Sequence, residues 1–254
     1  MFSNSPLVSF VLMSPNFTKP RNQSIKKITI HHTAGMLSLE SLARLFQPEE
    51  RQASSNYGID INGKIGMFVE EKHRAWTSAN AENDHQAVTY EVCNSTNGPA
   101  WEISGESMEA LINLSVDVCF RNPGIKQADG QRGLSWTGDK KGSLTIHKFF
   151  ANTNCPGPYL EPRMGQIAAE VNKRLAAKLK NQNGNEELEM PYYLVRKYQF
   201  CDDNIPLGLK DELQEAIDMK IVGYGEFGFD PALSEQDVRT LAWIMRWINR
   251  LYAG

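Results

Sequence analysis

The chain has 254 residues, with 27 Lys and Arg against 30 Asp and Glu and a formal charge of −3. Its 41% hydrophobic and 22% charged content excludes general disorder, and the near-neutral balance argues against nucleic acid, which demands a concentrated basic face. No apolar run reaches the roughly 18 residues that cross a bilayer, so no membrane insertion is expected. Four cysteines, at 93, 119, 155 and 201, form no CxxC pair and are too few for a disulfide scaffold.

Leu7 to Met13 reads as an ordered apolar strand. It has no preceding Lys or Arg, and Ser14-Pro15-Asn16 is not a small-residue cleavage site, so it is not read as a signal peptide. Lys27-Ile28-Thr29-Ile30-His31-His32 is rich in β-branched residues and runs into Thr33-Ala34-Gly35, a strand leading to a loop. Ser38 is a candidate N-cap for a helix carrying Leu39, Leu42, Leu45 and Phe46 on one face, with Pro48 beyond its end. Asn62-Gly63 between two extended runs, 56–61 and 64–69, predicts a hairpin. Ala87 to Cys93 is a further strand, and Met108 to Phe120 keeps helical spacing through Leu111, Ile112, Val116 and Cys119. Leu144-Thr145-Ile146-His147 is a short strand or strand end, and Ile167, Val171, Leu175 and Leu179 mark one more helix.

This alternation predicts an α/β fold, a mixed central β-sheet flanked by helices, over residues 1–180. The polar stretch 181–190 reads as a linker. Residues 191–254 are net acidic and read as a small, mainly helical domain. It has an apolar stripe at Leu209, Leu213, Ala216 and Ile217, and a capped helix beginning near Ser234. The segment from Ile221 to Pro231 has a weak likeness to the helix–loop–helix unit of surface-layer-homology modules.

Three side-chain positions stand out as soft or borderline metal ligands. They are His31 with its neighbour His32 at the end of the first strand, His147, and Cys155 in Thr153-Asn154-Cys155-Pro156-Gly157. Zinc takes imidazole and thiolate, and a catalytic zinc keeps three protein ligands and an open position. Taken singly, a histidine or cysteine is more often structural, and the spacing alone does not decide. Cys93, Cys119 and Cys201 read as buried small hydrophobes, and His73 and His85, flanking Trp76, as bland loop histidines, with the lining of a sugar or peptide groove as the lesser alternative.

Four segments occur in order: Ile30-His31-His32-Thr33-Ala34-Gly35, Ser55-Asn56-Tyr57-Gly58-Ile59, Arg74-Ala75-Trp76 and Ile146-His147-Lys148 through Cys155-Pro156-Gly157. Together they resemble the zinc-dependent N-acetylmuramoyl-L-alanine amidases, the family that includes phage endolysins and the peptidoglycan recognition proteins. The likeness covers about residues 8–180 and is nearest to endolysins of Gram-positive hosts, Met13 to Pro20 included.

The resemblance implies that His31, His147 and Cys155 hold Zn2+, with His32 on the other side of the strand. It implies that Tyr57 and Thr153 are catalytic, Thr153 standing where many phage members carry a lysine. Glu91 matches a glutamate that faces the zinc in some branches, a candidate catalytic residue with a structural role as the equal alternative, and Trp76 is a candidate for binding substrate in a groove. The implied partner is peptidoglycan. The implied activity is hydrolysis of the amide between N-acetylmuramic acid and L-alanine, and the alternative is a recognition module that binds without cutting. Inactive relatives lose the first histidine or the cysteine, and both are present here. The reading is of a protein made in the host cytoplasm and released to the wall by a holin-type route. The 191–254 domain is expected to anchor it to the wall or to form homo-oligomers.

Overall fold

A computed structural model of the chain describes residues 4–183. Its frame is a six-stranded mixed sheet in the order β1-β5-β4-β7-β3-β8. These strands are β1 (Phe10–Val11), β3 (Lys27–His32), β4 (Tyr57–Ile59), β5 (Ile65–Met67), β7 (Ala87–Val92) and β8 (Leu144–Ile146). Strands β4, β7, β3 and β8 run parallel, so their C-terminal ends gather at one edge, while β5 turns back antiparallel to β4 across the predicted Asn62-Gly63 hairpin. A separate two-stranded antiparallel ribbon pairs β2 (Phe17–Thr18) with β6 (Arg74–Ala75). The apolar run at residues 7–13 is a strand only at Phe10–Val11, at the edge of the sheet, with Leu7, Val11 and Met13 exposed.

Alternation along β3 assigns the two faces. Ile28 and Ile30 share one face with their register partners Val88, Tyr90, Leu144 and Ile146. There they pack with Leu111, Leu114 and Val118 of α3 (Gly105–Arg121), Leu160 of α4 (Gly157–Leu160) and Ile167, Val171 and Leu175 of α5 (Met164–Asn183). Ser104 caps α3 by accepting the Ser107 N–H at 3.0 Å, a contact typically worth about 1 kcal/mol. Helix α5 runs three residues into the stretch read as a linker. The rest of that linker and the 191–254 domain lie outside the described residues.

The opposite face divides in two. Near β4 and β5 it is apolar: α1 (Leu39–Leu45), capped by Ser38 as the sequence predicts, packs with Phe46, Phe68 and Cys93. Gly58 is required there, because a Cβ would lie 2.9 Å from Leu42 Cδ2 and closer still to the Phe68 ring. Near β3 and β8 the same face is polar yet largely buried. Thr29 and Thr145 hydroxyls meet at 2.8 Å, as do those of Thr77 and Thr89, and Asn83 Nδ2 of α2 (Ala81–Gln86) donates to Thr29 Oγ1 at 2.9 Å. His31 stands at the end of this polar row.

Candidate metal centre

Strand β3 ends at the gathered strand termini, and His31 leaves it on the polar face. Across the neighbouring β8, the chain passes Ile146 into a 3₁₀ turn that begins at His147. The loop that follows is pinned back by the Lys148 N–H donating to the Cys155 carbonyl at 3.1 Å. One ligating atom each from His31, His147 and Cys155 then lies within 4.8 Å of the others. The two imidazole centroids stand 4.7 Å apart.

The surroundings suit a cation. His31 is 1% exposed, and burial, with His147 and His32 beside it, holds its pKa well below the ordinary histidine value, so the ring is neutral and able to ligate. Burial lowers His147 too, and its Nε2 is buried with no hydrogen-bond partner. The Cys155 thiol is pushed up by burial and by Glu91, against a hydrogen bond from the His32 backbone N–H at 3.4 Å. Two imidazoles, one of them with an orphaned ring nitrogen, and one thiol form a three-donor set that fits zinc, which would favour the thiolate that burial disfavours. His32 points to the other side, as alternation requires. Its ring backs onto Gly157, where a Cβ would lie 2.7 Å from His32 Cε1 and where φ is +84°.

Glu91 is the register partner of His31 on β7. Burial pushes its carboxyl up to about 8, with the Arg51 guanidinium acting in the opposite direction, and its Oε2 is buried without a partner. Thr153 sits beside the cysteine, its Oγ1 accepting the Cys155 N–H at 3.2 Å.

Two of the residues expected in the site are placed otherwise. Tyr57 pairs with Tyr90 and therefore lies on the apolar face, opposite His31 and Glu91. It is fully buried, its hydroxyl donates to Glu71 Oε1 at 2.7 Å, and that hydroxyl oxygen accepts the Ser5 N–H at 2.9 Å. The structure therefore does not bring Tyr57 together with the three candidate ligands. Trp76 is half-buried, its indole N–H donates to Thr18 Oγ1 at 2.9 Å, and the Arg74 guanidinium lies 6.0 Å over its ring. The expected open stacking face is thus occupied from within the chain. His73 stacks on Phe17 and approaches Glu70, while His85 accepts the Asn22 N–H.

The structure adds residues that sequence reasoning missed. Ser78 Oγ lies 3.4 Å from His31 Nε2 and accepts from Asn83 Nδ2 at 3.2 Å. Asp84 accepts the Thr77 and Ser78 N–H groups and so holds that segment under the histidine. The signal for them is slight: α2 is six residues long, with no apolar stripe.

A family model described as N-acetylmuramoyl-L-alanine amidase matches residues 21–158, which include the three candidate ligands, Glu91 and Thr153. Among solved structures, a mutant of PlyL aligns with a TM-score of 0.50 at 15% identity, covering 64% of this chain and 97% of that one. The endolysin LysCS from Clostridium intestinale aligns at 0.45 and 16%, covering 65% and 97%. A selenomethionine derivative of AmpD aligns at 0.47 and 15%, covering 66% and 99%. At such identity the PlyL likeness speaks for the fold. A search of curated proteins returns no match.

Proposed function

Because this chain belongs to the N-acetylmuramoyl-L-alanine amidase family, we propose that it is an endolysin-type zinc amidase that cuts the bond between the lactyl carbonyl of muramic acid and the L-alanine nitrogen of the stem peptide. The observation that carries the reading is the convergence of His31, His147 and Cys155 beside a buried carboxylate oxygen, Glu91 Oε2, that has no partner. A non-catalytic binder has no need of that oxygen.

In this reading His31, His147 and Cys155 hold the ion. Zinc, when bound, lowers the pKa of a water toward about 7 and polarises the scissile carbonyl. Glu91 takes the proton from the attacking water and returns it to the leaving nitrogen, so water supplies hydroxyl to the carbonyl carbon and hydrogen to the amine. Thr153 Oγ1 already accepts the Cys155 N–H, and its own O–H has no acceptor among the described residues. That O–H is assigned to the oxyanion, a contact whose loss costs on the order of 10²–10³ in rate. Ser78 and Asn83 fix the His31 ring from below, as outer hydrogen bonds orient metal ligands elsewhere.

The test is to incubate the purified chain with cell walls, with and without a chelator, and assay new N-terminal alanine. Amine release that the chelator abolishes is the expected result. Release of reducing sugar in place of amine overturns the amidase reading, and wall binding without either product favours a recognition module. Residues 191–254, outside the described residues, are proposed as the wall-anchoring or self-association part. A 1–185 truncation that keeps full wall binding, lysis and oligomeric state would remove that assignment.

A further inference from the structure

Resting on the amidase reading, we propose that Trp101 is a carbohydrate-stacking subsite that seats the pyranose ring on the muramoyl side of the scissile bond. It lies on the loop between β7 and α3, at the edge where the parallel strands end. That loop is tied down at several points. Asn94 Nδ2 donates to the Trp101 carbonyl at 2.7 Å, Ser95 N–H to the Glu102 carbonyl at 2.8 Å, and Glu102 N–H to Thr96 Oγ1 at 2.9 Å. Asn94 N–H also reaches the Gly35 carbonyl at 3.1 Å, which links the loop to the one following His31 and His32.

Trp101 itself has a φ of +50°, the left-handed region that a bulky side chain adopts only where its surroundings over-determine it. Ala34, Gln52 and Ala79 are the other non-glycine residues with positive φ among the described residues. All three stand in loops of the site: after His32, after Arg51 and after Ser78. Strain of this kind gathers where a side chain must be aimed.

The indole packs against its own loop and His32. Its ring lies against Gly98, where an added Cβ would come within 2.9 Å of Cε2 and Cζ2. It meets the His32 ring edge-on at 5.8 Å and 87°, and the His32 backbone N–H donates to Cys155 Sγ. The indole thus connects to Cys155 through His32, whose ring lies on the side of β3 away from His31 and whose backbone N–H meets the thiol. It is only half-buried, and its N–H makes no hydrogen bond among the described residues. Trp76, by contrast, has its N–H engaged by Thr18 and its ring covered by Arg74.

The chemistry of the loop selects the ligand. Around Trp101, Ser95, Thr96 and Asn97 are partly or fully exposed, and residues 94–101 carry no charged side chain. An aromatic face beside hydroxyls and amides suits a neutral pyranose: its C–H face covers the ring, and its hydroxyl and acetamido groups reach the indole N–H and the loop. A stem peptide presents a terminal carboxylate, and the loop offers no cation to receive it.

The experiment uses the zinc-loaded full chain and its Trp101→Ala and Trp101→Phe variants. Two soluble substrates are compared, an N-acetylmuramoyl peptide and a lactoyl peptide of the same sequence without the sugar ring. Trp101→Ala is expected to lower kcat/KM on the sugar-bearing substrate about tenfold, the scale of one aromatic contact, mainly through KM. It leaves the sugar-free substrate unaffected, and Trp101→Phe restores most of the loss. Equal losses on both substrates, or none on either, overturn the subsite. Titration of peptide-free glycan strands into the same proteins gives a second readout, in which equal binding by Trp101→Ala and the unmodified chain overturns it. An unmodified chain that releases no alanine amine from either substrate sinks the amidase reading itself, while the glycan titration still judges Trp101.

Discussion

The central sheet buries two clusters of ionisable side chains, one on each face, and they follow opposite rules. On the α3 side, Glu71 is 1% exposed and its carboxylate is fully engaged. It accepts from Arg121 at 2.6 and 2.9 Å, from the Tyr57 hydroxyl at 2.7 Å and from Asn122 Nδ2 at 3.3 Å. Arg121 reaches Asp117 at 2.8 Å as well. On the polar face, His31 and Cys155 are buried and His147 and Glu91 partly so, yet the buried atoms Glu91 Oε2 and His147 Nε2 have no partner. Nearly all buried polar groups are hydrogen-bonded, and leaving one unpaired costs about 1–3 kcal/mol. The first cluster is finished by folding and serves stability. The second is left with unpaired atoms by folding, as the proposed metal site requires, and the fold carries their cost.

Breaking the second cluster produces the largest effect. Cys155→Ala is expected to purify without zinc, by elemental analysis, and to release no alanine amine from cell walls. With free zinc at 100 times its Kd, the unmodified chain gains about 2.7 kcal/mol of stability in a denaturant titration. The variant gains none, while the two metal-free proteins unfold alike. Equal zinc content in both would move the ion elsewhere. Glu91→Gln comes next: it keeps the shape and removes the proton acceptor. Its rate is expected to fall about 10²–10⁴-fold, with zinc content unchanged and stability held or raised, because a buried unpartnered carboxyl has been removed. A fully active Glu91→Gln protein would transfer the proton step to another group.

The contrast between the clusters also marks what a single sequence discloses. Strand β3, the Asn62-Gly63 hairpin, the Ser38 cap and the long apolar helices are written in local spacing, and the structure repeats them. The candidate ligand set came from family resemblance, since His31, His147 and Cys155 lie in distant parts of the chain that the fold brings within 4.8 Å of one another. Tyr57 shows the limit. Its Asn-Tyr-Gly setting reads as catalytic, but its side is decided by the register of β4 on β7, which aligns it with Tyr90 and aligns Gly58 with Glu91. A shift of one residue would reverse the two faces. That register depends on strands more than 25 residues apart and leaves no local mark. Ser78, Asn83 and Asp84 escape for a related reason: they act through hydrogen bonds, and α2 has no apolar periodicity to announce it.

The first cluster supplies the smaller effects, and they sharpen the comparison because they change stability without touching chemistry. Arg121→Ala leaves Glu71 buried without its guanidinium, and removing one partner of a buried pair typically costs about 3–5 kcal/mol. The expected result is a lower urea midpoint with unchanged zinc content and unchanged rate per folded molecule. Tyr57→Phe is gentler. Glu71 keeps Arg121 and Asn122, and only the Ser5 N–H loses its acceptor. A cost near 1 kcal/mol follows from one lost hydrogen bond. The rate on cell walls is expected to stay within about twofold of the unmodified chain, well short of the 10²–10³-fold fall that losing an oxyanion donor produces. Parallel measurement of urea midpoint and alanine release separates the two roles. Lower stability at full rate keeps the phenol in the structural cluster, and a hundredfold slower protein of normal stability would return it to the catalytic one.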